Sequence, residues 1–206
     1  MKKLLFMLLS ITLAITSVSC KSEKKIEKTD TQIEKHYSAE EKTTTLNWIA
    51  YKTTAKVPVK GQFTKVQFEN AKKASTPKEA LNGLQFKVPV ESIFTKDSLR
   101  DGKLKKFLFG AMKNTEFVLG KIHMNNENSG TVDITMNGFT QVLPITYVIS
   151  GQMITLEAVM DLDNWKAQLA LATLNEACKE LHTGEDGVTK TWSEVKIEVA
   201  TYLKYE

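Results

Sequence analysis

From about residue 116 to residue 162, apolar and polar residues alternate one by one, and this period of two constrains the fold more than any other feature of the 206-residue chain. Val132, Ile134 and Met136 alternate with Thr131, Asp133 and Thr135. Leu143, Ile145, Tyr147 and Ile149 continue the pattern, and Ile154, Leu156, Ala158, Met160 and Leu162 alternate with Thr155, Glu157 and Asp161. Successive side chains of an extended strand point to opposite faces, so each run buries one face and wets the other. Asn137-Gly138 and Ser150-Gly151 separate the runs, and Asn-Gly accepts the positive φ of a type I′ hairpin turn. The stretch predicts a continuous antiparallel meander.

Further strands are predicted at about 44–52 around Trp48, at 57–69 with Val57, Val59, Phe63, Val66 and Phe68, at 84–91 with Phe86, Val88 and Val90, and at 192–203 with Val195, Ile197 and Val199. About eight strands result, many longer than the usual five or six residues. Long strands with one apolar face are best satisfied when the sheet curls until its edges meet. The expected fold class is all-β with small helices, an eight-stranded antiparallel barrel with helical caps. Two segments break the alternation. Residues 97–112 place Leu99, Leu104, Phe107, Leu108 and Met112 at helical spacing, with Lys103, Lys105 and Lys106 outward. Residues 167–181 do the same with Leu169, Leu171, Leu174 and Leu181, stopping near Gly184. Both read as helices packed on a barrel.

The N-terminus follows other rules. Met1-Lys2-Lys3 precedes an apolar stretch over residues 4–15, and small residues lead directly to Cys20. These parts mark a secretory signal over residues 1–19 rather than a spanning helix, which needs about 20 apolar residues. The segment resembles the lipobox of bacterial lipoproteins, with Ser17 in place of the usual aliphatic residue. That resemblance implies cleavage before Cys20 and acylation of its thiol and freed amine, and two or more acyl chains anchor a protein stably. Lys21 rather than Asp follows the cysteine, so the implied location is the outer membrane, facing the periplasm or the cell surface. Residues 20–42 are expected to form a disordered tether, because Ile26, Ile33 and Tyr37 offer too little burial to offset the entropy of ordering. The folded domain is expected over residues 43–206.

Loss of Lys2 and Lys3 leaves basic and acidic side chains nearly balanced, and no basic patch interleaved with aromatics marks a nucleic-acid surface. With Cys20 acylated, Cys178 has no disulfide partner, so an exported domain must rely on its core. Cys178 and His182 stand four apart on a predicted helix, a spacing that suits half of a zinc site or a thiolate with its base. His36 and His123 fall elsewhere in the sequence, however, and a flanking thiol beside a solvent-facing imidazole is the simpler account. Glu176 with Glu180, and Asp161 with Asp163, read as solvated faces. No nucleophile elbow, His-Glu-x-x-His, phosphate-binding loop or dinucleotide fingerprint occurs. Neither catalysis nor a cofactor nor a metal is expected.

Trp48-Ile49-Ala50-Tyr51-Lys52 is followed by Val59-Lys60-Gly61-Gln62-Phe63, then by Val90-Glu91-Ser92-Ile93 with residues 97–109, by Phe117, by Gly138-Phe139-Thr140 and by Val195-Lys196-Ile197. In order and spacing these resemble the YceI-like domains, over about residues 44–203. The resemblance implies a lipocalin-like barrel with a helix over one side and a polyisoprenoid or related amphiphile inside. Residues 165–192 depart from the pattern as an extra helix and loop before the last strand.

An eight-stranded barrel is just wide enough to be filled by its own side chains or to hold one slender ligand, and the residues leave both open. For a ligand the expected lining is Trp48, Phe63, Phe86, Ile134, Ile145, Leu156 and Trp165. Arg100, in the charged group of Asp97, Asp101 and Lys103, would meet a pyrophosphate or quinone head. The expected partners are an apolar-chain ligand such as an isoprenoid and a membrane reached through the anchor, with no nucleic acid. Oligomeric state is open, a homodimer included. The alternatives are a solid-core interaction module and a metal or thiol enzyme using Cys178 and His182.

Overall fold

The meander expected from the alternation forms the spine of the structure, a computed structural model that describes residues 34–206. Cys20 and the signal segment lie outside the described residues. In chain order the strands and helices are β1 (Tyr37–Ser38), β2 (Thr44–Lys52), β3 (Val57–Phe63), β4 (Gln67–Phe68), α1 (Pro77–Leu81), β5 (Gln85–Pro89), β6 (Ile93–Phe94) and α2 (Ser98–Lys103). They continue with β7 (Phe117–His123), β8 (Ser129–Met136), β9 (Phe139–Ser150), β10 (Met153–Asp161), α3 (Gln168–Ala177), α4 (Lys179–His182), β11 (Thr191–Tyr202) and β12 (Lys204–Tyr205). Asn137 and Gly138 take φ of 52° and 75° and turn β8 into β9, as the dipeptide predicts.

One sheet runs in the order β4, β5, β7, β8, β9, β10, β11, β2, β3, β6, every neighbour antiparallel. Its two ends adjoin in sequence as well as in space. β4 follows β3 after three residues, β6 follows β5 after three, and β3 pairs with β6 while β4 pairs with β5. The Thr64 N–H donates to the Ser92 carbonyl at 2.9 Å within the gap, and the Glu69 N–H donates to the Gln85 carbonyl at 3.0 Å on the far side of the β4–β5 pair. The sheet therefore curls round until one interrupted strand meets another. Ten segments stand in this sheet where eight strands were expected, because the predicted strand at 57–69 breaks into β3 and β4, and the one at 84–91 ends at Pro89 in a 3-10 turn over Val90–Ser92 beyond which the unpredicted β6 forms.

The ordered fold takes in residues 36–38, which lie within the segment expected to be a disordered tether over residues 20–42. β1 pairs with β12, the His36 N–H donates to the Glu206 carbonyl at 2.7 Å, and the Tyr37 and Tyr205 rings stack at 4.5 Å. A two-residue strand whose partner lies at the far end of the chain leaves no periodic trace in local composition. The helix expected over 97–112 is three pieces: α2, a π turn over Leu104–Leu108 and a 3-10 turn over Phe109–Ala111. The Asp97 carboxylate starts it by accepting from the Leu99 and Arg100 N–H groups. The second expected helix breaks at Cys178 into α3 and α4. Leu99, Leu169 and Leu181, counted on the buried faces, are exposed, each in the first or last turn of its helix. α3 packs against the π turn and β11 and so closes one end of the barrel, while Leu81 of α1 and Leu84 lie at the other.

Candidate ligand cavity

The inward rows of the strands surround a cavity of about 220 Å³, bordered by Leu81 and Leu84 at one end and by Leu104, Leu108, Leu171 and Leu174 under the helical cap. Apart from indoles, only Thr44, Thr191 and Thr201 bring polar side chains to its lining. Thr44 and Thr201 satisfy each other through a 2.7 Å hydroxyl–hydroxyl hydrogen bond. The two walls differ. On β8, β9 and β10 the inward side chains, among them Ile134, Ile145 and Leu156, are buried. On β2 and β11 Leu46, Ala50, Val195, Ile197 and Val199 are only half-buried, as are Phe63, Phe68, Phe86 and Val118 on the strands beyond, so the open space adjoins this side of the barrel.

Two aromatics help to keep the lumen open. Trp48 stands opposite Gly61 and Phe86 opposite Gly120, and each ring occupies the space that a β-carbon on its glycine would need. A ring laid over the neighbouring strand does not reach across the barrel. Among the described residues the buried Trp48 Nε1–H has no acceptor.

Six of the expected lining residues, Trp48, Phe63, Phe86, Ile134, Ile145 and Leu156, border the cavity. Trp165 does not. It is 1 % exposed, and its Nε1–H donates to the Ile134 carbonyl at 2.9 Å, pinning the 3-10 turn Leu162–Trp165 behind β8. An isolated apolar residue does not reveal from sequence that its one donor is spent on a backbone carbonyl. Arg100 lies outside the cavity on α2, with its guanidinium 3.2 Å from the Asp97 carboxylate. That carboxylate is held below its usual pKa by the Arg100 N–H first and by the guanidinium charge after it.

Cys178 and His182 are brought together at the cap. Cys178 is buried, and burial pushes its thiol up despite the opposing influence of Lys103 and Lys52. A thiol held protonated in this way is a poor nucleophile. His182 Nδ1 lies 2.7 Å from the Thr191 hydroxyl, which donates to Asn175 Oδ1 at 2.9 Å, so the imidazole donates to Thr191. Burial first, then Lys52 and Lys103, lower the His182 pKa to about 4. Among the described residues no three His, Cys, Asp or Glu side chains gather as a metal site would require.

Lys52, Thr191 and Trp192 were missed. Thr44, Leu46, Trp48 and Ala50 form one inward row, and Lys52 is its next member. It stands opposite Thr191 in the β2–β11 ladder, and directly opposed residues project to the same face. The parity was readable in the sequence. The position of Thr191 was not, because the ladder slips between Thr191 and Val195. Trp192 borders the cavity, with Lys190 Nζ 3.8 Å and Lys56 Nζ 4.5 Å from its ring centre.

A family model described as the YceI-like domain matches residues 25–202. The chain belongs to the YceI-like family. Two solved structures resemble it. A polyisoprenoid binding domain from Saccharophagus degradans, implicated in plant cell wall breakdown, is 15% identical with a TM-score of 0.57, covering 82% of this chain and 97% of that one. BcnA from Burkholderia cenocepacia is 19% identical with a TM-score of 0.51, covering 80% and 98% respectively. At such identities the likeness establishes the shared fold, a curled antiparallel sheet with few small helices. No curated protein matches the sequence.

Proposed function

We propose that this YceI-like chain is a non-catalytic carrier that holds one apolar-chain lipid, of polyisoprenoid type, along the β2–β11 wall of its barrel. The supporting observation is the 220 Å³ apolar cavity itself. A benzene-binding engineered cavity measures about 150 Å³, so this space takes more than a single ring. A void of this size also carries an energetic penalty on the order of 5 kcal/mol, taking about 24 cal/mol per Å³, which rivals the whole stability of a small domain. Each CH₂ moved from water into it contributes roughly 0.8 kcal/mol, so a slender chain offsets that penalty. The polyisoprenoid binding named for the Saccharophagus degradans relative agrees with a thread-like occupant. The cavity disfavours the solid-core reading, and the protonated Cys178 thiol disfavours the thiol enzyme.

The chain is further proposed to act from a membrane, through acylation of Cys20, on the periplasmic side of the outer membrane or at the cell surface. The direct experiment is organic extraction of the purified full chain with mass spectrometry, followed by titration with farnesol read by tryptophan fluorescence, since Trp48 and Trp192 border the cavity. A co-purified isoprenoid or saturable farnesol uptake supports the carrier. An empty extract together with no uptake overturns it.

A further inference from the structure

We propose that residues 36–43 form a latch at the α1 end of the barrel, and that the parting of this latch from β4 and from Ala74 admits and releases the lipid. The inference rests on the cavity being the lipid site. On one side the latch belongs to the barrel: β1 pairs with β12, the Thr43 hydroxyl donates to the Tyr202 carbonyl at 2.7 Å, and the chain runs directly into β2 at Thr44. On the other side it meets β4 and the loop that follows. The Tyr37 N–H donates to the Ala74 carbonyl at 2.8 Å, and the Ala74 N–H donates back to the Tyr37 carbonyl at 3.0 Å. The Phe68 N–H donates to the Glu41 carboxylate at 2.7 Å. Because the Glu69 N–H is directed at β5, alternation turns that of Phe68 to the opposite edge, where the carboxylate takes the place of a neighbouring strand.

The joint lies at the end of the cavity. Phe68, whose N–H Glu41 holds, and Thr44, which follows the latch, both line it, as do Leu81 and Leu84. Little burial keeps the joint shut. Of residues 36–43 only Ala39 is buried, and residues 69–76 bury no side chain. The ion pair across it, Lys73 with Glu206 at 3.0 Å, is exposed and adds little. Local opening is least costly where few buried contacts are lost. The closed form also carries a cost: among the described residues the buried His36 Nδ1 has no hydrogen-bond partner, and opening hydrates it. The break between β3 and β4 at residues 64–66 supplies the bend, so β4 moves with β5 while β3 stays on β2.

Stopped-flow tryptophan fluorescence on the purified full chain measures the rates of farnesol uptake and release. Glu41→Ala removes the acceptor of the Phe68 N–H and is expected to speed both by about fivefold while leaving the equilibrium affinity unchanged. Tyr37 and Ala74 are directly opposed, at a spacing that a disulfide spans. Tyr37→Cys/Ala74→Cys, made with Cys20→Ser and Cys178→Ser so that only the new pair can oxidise, is expected to slow uptake and release by roughly tenfold or more when oxidised and to recover on reduction. In the unaltered chain the amides of Tyr37, Phe68 and Ala74 are expected to exchange hydrogen together and well before those of β10. Equal rates in the oxidised and reduced pair, or faster release without faster uptake in Glu41→Ala, overturns the latch and leaves the carrier standing. Protection of those three amides to the level of β10 overturns it too. No farnesol uptake by the parent chain overturns the carrier, and the latch with it.

Discussion

Trp48 and Gly61 face each other across β2 and β3 with no room between them for a methyl group. The pair couples a backbone requirement to the width of the lumen. Gly61→Ala is expected to force the indole off the neighbouring strand and toward the cavity. Overpacking of this kind typically costs about 1–3 kcal/mol. Thermal unfolding is expected to show that loss and farnesol uptake to fall with it. Adding Trp48→Ala to Gly61→Ala is expected to restore uptake, which separates a displaced ring from a general failure to fold.

That pairing also marks how far the sequence could be read. The alternation around Ile134, Ile145 and Leu156 declares its inward face, because one wrong step would expose a whole row. Trp48 and Phe86 are legible as apolar members of inward rows for the same reason. Their glycine partners are not, since Gly61 and Gly120 acquire meaning only when strand register sets each opposite a ring. Trp165 illustrates the converse: its hydrophobicity says buried, and only the carbonyl of Ile134 says where. Thr191 and Lys190 follow an extra helix and precede a slip in the ladder, so no local period points to them.

The two indoles predict different costs. Trp165 donates to Ile134, whereas the Trp48 N–H has no acceptor among the described residues. Trp165→Phe is therefore expected to cost about 1–3 kcal/mol more in urea unfolding than Trp48→Phe, since it strips a made hydrogen bond from a buried site. Equal losses would contradict the assignment.

Filling the hollow should trade function for stability. Ala50 is half-buried in the open wall, and Ala50→Phe is expected to raise the midpoint of unfolding by burying apolar surface worth about 1–2 kcal/mol. The same variant is expected to take up less farnesol. A rise in stability with undiminished uptake would place the ligand elsewhere.

His182 makes folding acid-sensitive. Its folded pKa of about 4 lies below the ordinary 6.5, so the unfolded chain takes the proton first. The imidazole's contribution is fully present above about pH 6.5 and is lost as pH falls toward 4. For a group this solvent-screened the loss amounts to about 1–2 kcal/mol at most. Urea unfolding from pH 7 to pH 4 is expected to show a shallower fall in His182→Asn than in the parent chain.

Cys178 is expected to resist iodoacetamide at neutral pH in the native chain and to react fully in denaturant, because burial holds the thiol protonated. Cys178→Ser is expected to leave farnesol uptake unchanged.

The seam where β3 and β4 meet β5 and β6 is joined by two ladders of two residue pairs each, against nine pairs between β10 and β11. The ring is thus a clasp more than a hoop. Its least costly opening is a lengthwise parting at residues 64–66 and 90–92, beside Phe63, Phe68 and Phe86 of the lining. For the thread-like lipid of the proposed function, such a seam would offer entry along the flank rather than end-on beneath the helical cap.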